Sequence, residues 1–348
     1  MQPTRVLIAD DSPTARLLMR AILSEEPDLQ TVGEAANGAE AVELTEKLRP
    51  DVVVMDVHMP VLDGIEATRQ IMQHAPTPIV MVSAVTQRDV DLSLTATQAG
   101  ALIALPKPDS PTSPRYREQR AELVAMVRAM AQVKVVRRWA ADRRASPRPH
   151  RRAAAGNVEL IAIAASTGGP AALRTVIGHL PANLEVPIVV VQHIARDFTA
   201  GFARWLGEGL PLDTVLAASN TELRAGRVYV APEDVHTGVN DGPRLVFSHA
   251  APIEGFRPSA TFLFESLARS FGGAAVGVVL TGMGSDGANG LVALRQAGGY
   301  VIGQDEATSI VYGMAQEAWL RGAVDELLPL DRIAERLVEL VRAERDDG

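Results

Sequence analysis

Residues 158–173 read V-E-L-I-A-I-A-A-S-T-G-G-P-A-A-L. The apolar run Leu160–Ala165 is expected to form a buried strand, and an Ala/Leu-rich helix to begin around Pro170. Ser166, Thr167, Gly168 and Gly169 lie between them. Strand, tight glycine turn and helix is a connection of parallel α/β sheets. It lifts a side chain to the carboxyl edge of the sheet, where open α/β folds bind ligands. The backbone N–H groups of Thr167 to Gly169 have no helical partner there and suit an oxyanion. A serine so placed serves either as a nucleophile or as part of a phosphate cradle.

At 348 residues the chain is long for one domain, and two are expected. Hydrophobic residues at 47 % support full globular cores, built from Val, Leu, Ile and Ala because aromatics reach only 4 %. Cysteine is absent, which excludes disulfides and thiolate metal sites and is compatible with a reducing compartment. Residues 1–30 carry charge throughout and show no signal peptide, and the longest apolar runs fall well short of a membrane span. A net charge of −8 argues against a dedicated nucleic-acid binder. A soluble, cytoplasmic protein with no direct membrane insertion is expected.

The segment before the quoted stretch alternates short apolar runs with amphipathic, helix-length ones. Strands are expected at Arg5–Ala9, Gln30–Ala35, Asp51–Asp56, Pro78–Ser83 and Ala101–Leu105. Helices are expected at Thr14–Leu23, Ala39–Leu48, Gly64–His74 and Arg88–Ala99. This βα alternation predicts a parallel sheet with helices on both faces. Asp10, Asp11, Asp56, Ser83 and Lys107 all fall at strand ends and converge on one sheet edge. Carboxylates so close repel each other and suit a hard divalent cation, most naturally Mg²⁺. A lysine and a hydroxyl beside them suit a phosphoryl group carried by one carboxylate.

This segment resembles the receiver domain of bacterial response regulators. The matching pieces are Asp10-Asp11, the run D-V-H-M-P-V-L-D-G from Asp56 to Gly64, Ser83, and L-P-K-P from Leu105 to Pro108. The resemblance implies phosphorylation of Asp56 by a partner histidine kinase. It also implies Mg²⁺ held by Asp10, Asp11 and Asp56, and phosphate contacts from Ser83 and Lys107. One departure stands out: receivers commonly carry an aromatic residue three positions before the lysine, where this chain has Ala104.

Asp109–Arg115 is rich in Pro and Ser, and Tyr116–Trp139 reads as one long helix. Between Arg137 and Arg152 there are seven arginines against one acid, Asp142. That stretch reads as a flexible, solvated tether, with contact to acidic partner surfaces as the alternative. The expected organisation is a receiver over residues 1–125, a helical and basic linker over 126–157, and a larger α/β domain over 158–348. Both domains are expected to be doubly wound parallel sheets, the first flavodoxin-like.

Beyond Ser166, Val186–Gln192 reads as a buried strand followed by His193. Short strands are expected at Arg227–Ala231 and Leu245–Phe247, and a helix at Pro258–Phe271. Ala275–Leu280 is a further buried strand, followed by T-G-M-G-S-D-G from Thr281 to Gly287. The helix Ala288–Ala297, the strand Tyr300–Gln304 and two more helices complete the chain. Ser166, His193 and Asp286 each lie just past a predicted buried strand, so a hydroxyl, an imidazole and a carboxylate share one sheet edge. Their order, Ser-His-Asp, differs from the Ser-Asp-His order of α/β-hydrolases, and A-A-S-T-G does not match G-x-S-x-G. On spacing alone a triad and a phosphate-binding loop both remain open. His179, His236, His249 and His150 are rival histidines, and Asp305 is the main rival carboxylate.

The domain resembles the catalytic domain of protein-glutamate methylesterases of bacterial chemosensory pathways. The matching stretches are A-A-S-T-G-G-P around Ser166, V-V-V-Q-H ending at His193, and R-V-Y-V-A-P from Arg227. They continue with R-P-S from Arg257, G-V-V-L-T-G-M-G-S-D-G from Gly277 and Q-D-E-A-T from Gln304. The resemblance implies Ser166 as nucleophile, His193 as general base and Asp286 as its orienter, with no metal needed. Backbone N–H groups in the Ser166–Gly169 turn, such as that of Thr167, or at Met283 would hold the oxyanion. It further implies a phosphorylation-regulated hydrolase that demethylates glutamate methyl esters and deamidates certain glutamines on cytoplasmic helices of chemoreceptors. The family usually reads His-Arg-Pro-Ser-x-Asp where this chain has Phe256-Arg257-Pro258-Ser259-Ala260-Thr261. That departure bears on which receptor segments fit the cleft. Two other classes compete: a response regulator with a DNA-binding output, and a nucleotide-binding or scaffold domain. The long, strand-rich and acidic second domain argues against the first, and methanol release from methylated receptors would exclude the second.

Overall fold

The computed structural model describes residues 2–84, 94–96, 99–101, 103–133 and 158–342. The chain divides into two compact units, Met1–Arg143 and Arg144–Gly348. The basic stretch Arg137–Arg152, the far end of the helix expected to run to Trp139, and most of the helix expected at Arg88–Ala99 lie outside the described residues.

In the first unit, strands β1 (Thr4–Ala9), β2 (Leu29–Ala35), β3 (Val52–Asp56), β4 (Ile79–Ser83) and β5 (Ile103–Pro106) form one sheet. Its order is β2-β1-β3-β4-β5, and every pairing is parallel. A parallel sheet is covered on both faces, so its strands are apolar throughout and not alternating. Val6–Ala9, Val52–Met55 and Ile79–Val82 are accordingly all buried.

Helices α1 (Pro13–Ser24), α2 (Gly38–Leu48) and α3 (Gly64–His74) start on side-chain caps. Ser12, Asn37 and Asp63 accept from the N–H groups of Ala15, Glu40 and Glu66 at 3.3, 2.9 and 2.8 Å. Each cap satisfies an otherwise orphan donor at the helix start. Helix α4 (Tyr116–Ala131) buries Leu123, Val124, Val127 and Met130, so its apolar stripe continues past residue 125. The strand order puts the ends of β1, β3, β4 and β5 side by side, which is how distant acids meet.

The second unit holds a seven-stranded sheet. Its strands are β6 (Leu160–Ala165), β7 (Ile188–Gln192), β8 (Asp213–Leu216), β9 (Arg227–Val230), β12 (Ala275–Val279), β13 (Tyr300–Gln304) and β14 (Glu326–Leu328). All neighbours are parallel in the order β14-β13-β12-β6-β7-β9-β8. The chain builds outward from β6 to one side, then returns to lay β12 against the other side of β6. The crevice between β6 and β12 is therefore the topological switch point, the usual ligand position in open α/β sheets.

Strands β10 (His236–Asn240) and β11 (Arg244–Ser248) form a separate antiparallel hairpin. Helix α5 (Gly169–Gly178) follows β6 and α6 (Thr199–Gly207) follows β7. Helix α7 (Ala260–Ser270) precedes β12, and α8 (Ala288–Gln296) follows it. Helices α9 (Met314–Leu320) and α10 (Leu330–Arg342) come last. No helix among the described residues is long and apolar enough to cross a membrane.

Candidate active site

Ser166 is the first residue beyond β6, and three backbone ties fix the strand ends around it. Its N–H donates to Thr281 O at 3.1 Å, the His193 N–H donates to Ala165 O at 2.9 Å, and the Leu280 N–H donates to Ala164 O at 2.9 Å. Parallel pairing thus runs on just far enough to bring the loops after β7 and β12 against the serine. Gln192, buried at the end of β7, clamps the same place. Its Nε2 donates to Ser166 O at 2.8 Å and to His193 O at 2.7 Å. One amide therefore sets the spacing between the serine and the histidine.

The glycines are sterically required here. Gly168 has φ +76°, the left-handed region where glycine carries no Cβ penalty. A Cβ on Gly169 would lie 2.0 Å from Gln192 Oε1 and 2.8 Å from Ala165 Cβ. The turn passes this close to the clamp only without a side chain.

Asp286 is buried at the N-terminus of α7 and accepts four donors. His193 Nε2 and the Ala260 N–H reach Oδ2 at 2.9 and 2.7 Å; the Ser259 hydroxyl and the Thr261 N–H reach Oδ1 at 2.6 and 3.1 Å. Burial pushes the carboxyl toward its neutral form, but the bonds from His193, Ser259 and Ala260 outweigh it and hold Asp286 below the ordinary carboxylate value. An ionised carboxylate only accepts, so Nε2 of His193 carries the proton and a neutral ring leaves Nδ1 as an acceptor. Nδ1 is buried and has no protein partner among the described residues. The N–H groups of Thr167 and Met283 likewise donate to no protein acceptor among the described residues. The arrangement places a hydroxyl, a buried imidazole nitrogen without a protein partner, an ionised carboxylate and unpaired N–H donors on one sheet edge.

The described rival residues Asp305, His236 and His179 are engaged with other partners. Asp305 is buried, and its Oδ1 accepts from the Thr308 N–H at 3.0 Å and the Thr308 hydroxyl at 2.7 Å. His236 is buried with both nitrogens engaged, Nε2 with Ala251 O at 3.0 Å and Nδ1 with the Ser259 N–H at 3.3 Å. His179 Nδ1 lies 2.7 Å from Thr175 O in the last turn of α5, and His150 is outside the described residues.

The family model for CheB methylesterase matches residues 161–337, and that for the response regulator receiver domain matches residues 6–113. A protein-glutamate methylesterase/protein-glutamine glutaminase of Anaeromyxobacter dehalogenans is 48 % identical over 339 residues, 97 % of this chain and 99 % of the relative. The chain belongs to the CheB methylesterase family. A second relative with that paired name, from Myxococcus xanthus, is 47 % identical over 345 residues and covers 98 % of each chain. The crystal structure of the Thermotoga maritima CheB methylesterase catalytic domain is 36 % identical, with a TM-score of 0.51 over 53 % of this chain and 99 % of that one. Against the pattern of that methylesterase family, the two departures noted in the sequence both acquire local roles. Thr261, where an aspartate is usual, accepts from the Gly287 N–H at 2.8 Å and so braces the loop that carries Asp286. Phe256, where a histidine is usual, stacks on His193.

The receiver unit has its own polar cluster. Asp10, Asp11 and Asp56 bring carboxylate oxygens within 4.8 Å of one another, a donor set of hard oxygens that fits a divalent cation. Lys107 Nζ bridges Asp10 Oδ2 and Asp56 Oδ2 at 2.7 Å each, and the Lys107 N–H ties β5 to Ser83 O at 2.8 Å. Burial raises the Asp56 pKa; Lys107 pulls it down and Asp10 pushes it up, leaving it above the ordinary value. Burial opposes the Lys107 charge, but bonds to Asp10 and Asp56 dominate and its pKa is raised. Ala104 is buried on β5 beside Met81. The sequence assigns no individual role to Gln192, Ser259, Thr261 or Phe256. Gln192 shows only as a polar residue closing an apolar strand directly before the histidine, and the other three only as members or departures of the Arg-Pro-Ser stretch.

Proposed function

We propose that this chain hydrolyses glutamate methyl esters and deamidates glutamines on cytoplasmic chemoreceptor helices through an acyl-enzyme on Ser166. The bond between His193 Nε2 and ionised Asp286, which leaves Nδ1 as a sealed acceptor, carries this reading. Ser166 Oγ attacks the side-chain carbonyl carbon while His193 Nδ1 takes its proton. The carbonyl oxygen becomes an oxyanion received by the N–H groups of Thr167 and Met283; one such donor accounts for about 10²–10³ in rate. Collapse of the tetrahedral species breaks the C–O bond of an ester or the C–N bond of an amide. His193 returns the proton, so methanol or ammonia leaves. Water then gives a proton to His193 and attacks the acyl carbon; the acyl bond to Ser166 Oγ breaks as His193 passes that proton to Oγ, releasing glutamate and the free hydroxyl. Both substrates need the same acyl transfer, so one site serves both.

For the first unit the reading is a receiver, with Asp56 taking a phosphoryl group from a histidine kinase. Asp10, Asp11 and Asp56 would hold Mg²⁺, which supplies charge neutralisation during phosphoryl transfer. Lys107 and Ser83 would contact the phosphate oxygens. A receiver over residues 1–125, a linker over 126–157 and a catalytic domain from 158 follow the same reading, in a cytoplasmic protein with no nucleic-acid partner. Quenching the reaction with methylated receptor fragments and mapping the acylated peptide by mass spectrometry tests the mechanism. A glutamyl adduct on Ser166 is expected; an adduct on another residue would refute it.

A further inference from the structure

Ile253–Phe256 forms a tight turn outside the named strands. The Ile253 N–H donates to Phe256 O at 3.1 Å and the Phe256 N–H to Ile253 O at 2.9 Å. Glu254 and Gly255 at its tip have φ +50° and +87°, the left-handed pair that a type I′ turn requires. The tip is latched to the active-site loop, because the hydroxyl of Ser285, the neighbour of Asp286, donates to Glu254 at 2.6 Å. The turn so fixed lays the Phe256 ring flat on the His193 imidazole, with centroids 3.9 Å apart and planes 7° from parallel.

Asp286 grips His193 through one nitrogen only. A single hydrogen bond leaves an imidazole free to roll about the donor–acceptor axis, which would swing Nδ1 through an arc. A flat stack opposes that roll, since tilting either ring loses contact across its whole face. It also covers one face of a side chain that is only 7 % exposed.

We propose that Phe256 is a positioning residue for acyl transfer: the latched 253–256 turn fixes the plane of His193 and hence the direction of its Nδ1 lone pair. The inference rests on the reading of His193 as general base. It assigns to the turn a part in turnover that does not involve contact with the receptor.

The test uses the full chain and a small fluorophosphonate, which phosphonylates an activated serine without needing receptor recognition. Ser166 labelling is followed by mass spectrometry, alongside kcat and KM for methanol release. Phe256→Leu removes the flat ring and should slow labelling and lower kcat together by about two- to tenfold, the range for one aromatic pair, with KM unchanged. Phe256→Tyr keeps the ring and should stay close to wild type, while Ser285→Ala, which frees the latch, should fall between. Labelling of Phe256→Leu at the wild-type rate would overturn the proposal, as would a change confined to KM. If Phe256→Leu fails to fold, Ser285→Ala decides, and unchanged labelling there overturns it. Absence of Ser166 labelling in the wild-type chain would instead overturn the nucleophile reading, and this inference with it.

Discussion

Asp286→Asn keeps the volume of the side chain and removes its charge, so its effect can be worked from the four donors around it. Oδ2 faces His193 Nε2 and the Ala260 N–H, and Oδ1 faces the Ser259 hydroxyl and the Thr261 N–H. Each oxygen position therefore meets one backbone donor. Either orientation of an asparagine amide turns its NH₂ on one of them. A buried donor left without an acceptor costs about 1–3 kcal/mol, and the variant should lose about that much stability. With the amide oxygen toward His193, Nε2 keeps its proton, but a dipole replaces the charge beside a ring that must become cationic. With the NH₂ toward His193, Nε2 must accept, the proton moves to Nδ1, and the ring cannot take a proton from Ser166. The equivalent change in a serine-protease triad lowers kcat about 10⁴-fold through the wrong tautomer, and a loss on the order of 10³–10⁴ is expected here. The assay is methanol release at saturating methylated receptor, paired with urea unfolding of the same preparation. A variant that lost the expected stability but kept kcat within about tenfold would refute the reasoning. Asp286 would then be a helix-start anchor and nothing more.

Acid stability should follow the same carboxylate. Asp286 has a folded pKa below 3.8, so its stabilising effect is complete above that value and is lost as pH falls through the folded one; the Asp286→Asn chain should lack this acid-dependent component in urea midpoints taken from neutral pH downward. Asp56 has the opposite sign. Its folded pKa is raised, so the cost of its charge is absent below 3.8 and complete above the folded value, and Asp56→Asn should stabilise the receiver unit at neutral pH but not in strong acid. The same variant should take up no phosphoryl group from a small phosphodonor with Mg²⁺, as read by intact mass, whereas the wild-type chain gains one. Gly169→Ala should displace Gln192, whose Oε1 would lie 2.0 Å from the new Cβ, and should cost about 1–3 kcal/mol by overpacking together with most of the esterase activity.

The central strands and the loops that follow them were legible because their signals are local. An apolar run closed by a chemically distinctive residue marks a buried parallel strand and the edge where its loop emerges, and Leu160–Ala165 with Ser166 reads that way at once. The edges of the sheet were harder. Asp213–Leu216 and Glu326–Leu328 are short, and none of their residues is buried, so neither has the apolar run that reveals central strands. His236–Asn240 went unread as a strand because His, Thr, Gly and Asn give no strand pattern, although its first four residues are buried. The environment of the histidine was illegible for a different reason. Asp286 meets Ser259, Ala260 and Thr261 across 25 to 27 residues of chain, and Phe256 reaches His193 from another loop again. Such partners depend on tertiary placement, and spacing in the sequence carries no trace of them.

The central claim, an acyl-transfer site built on Ser166 and His193, is tested most directly by methanol release from methylated receptor fragments. Wild type, Ser166→Ala and His193→Ala should be compared at equal concentration after each variant is shown to be folded. Release by the wild-type chain and a fall of about 10⁵–10⁶ in both variants is the expected result. Appreciable release by folded Ser166→Ala would contradict the claim, because the nucleophile would then lie elsewhere in the crevice.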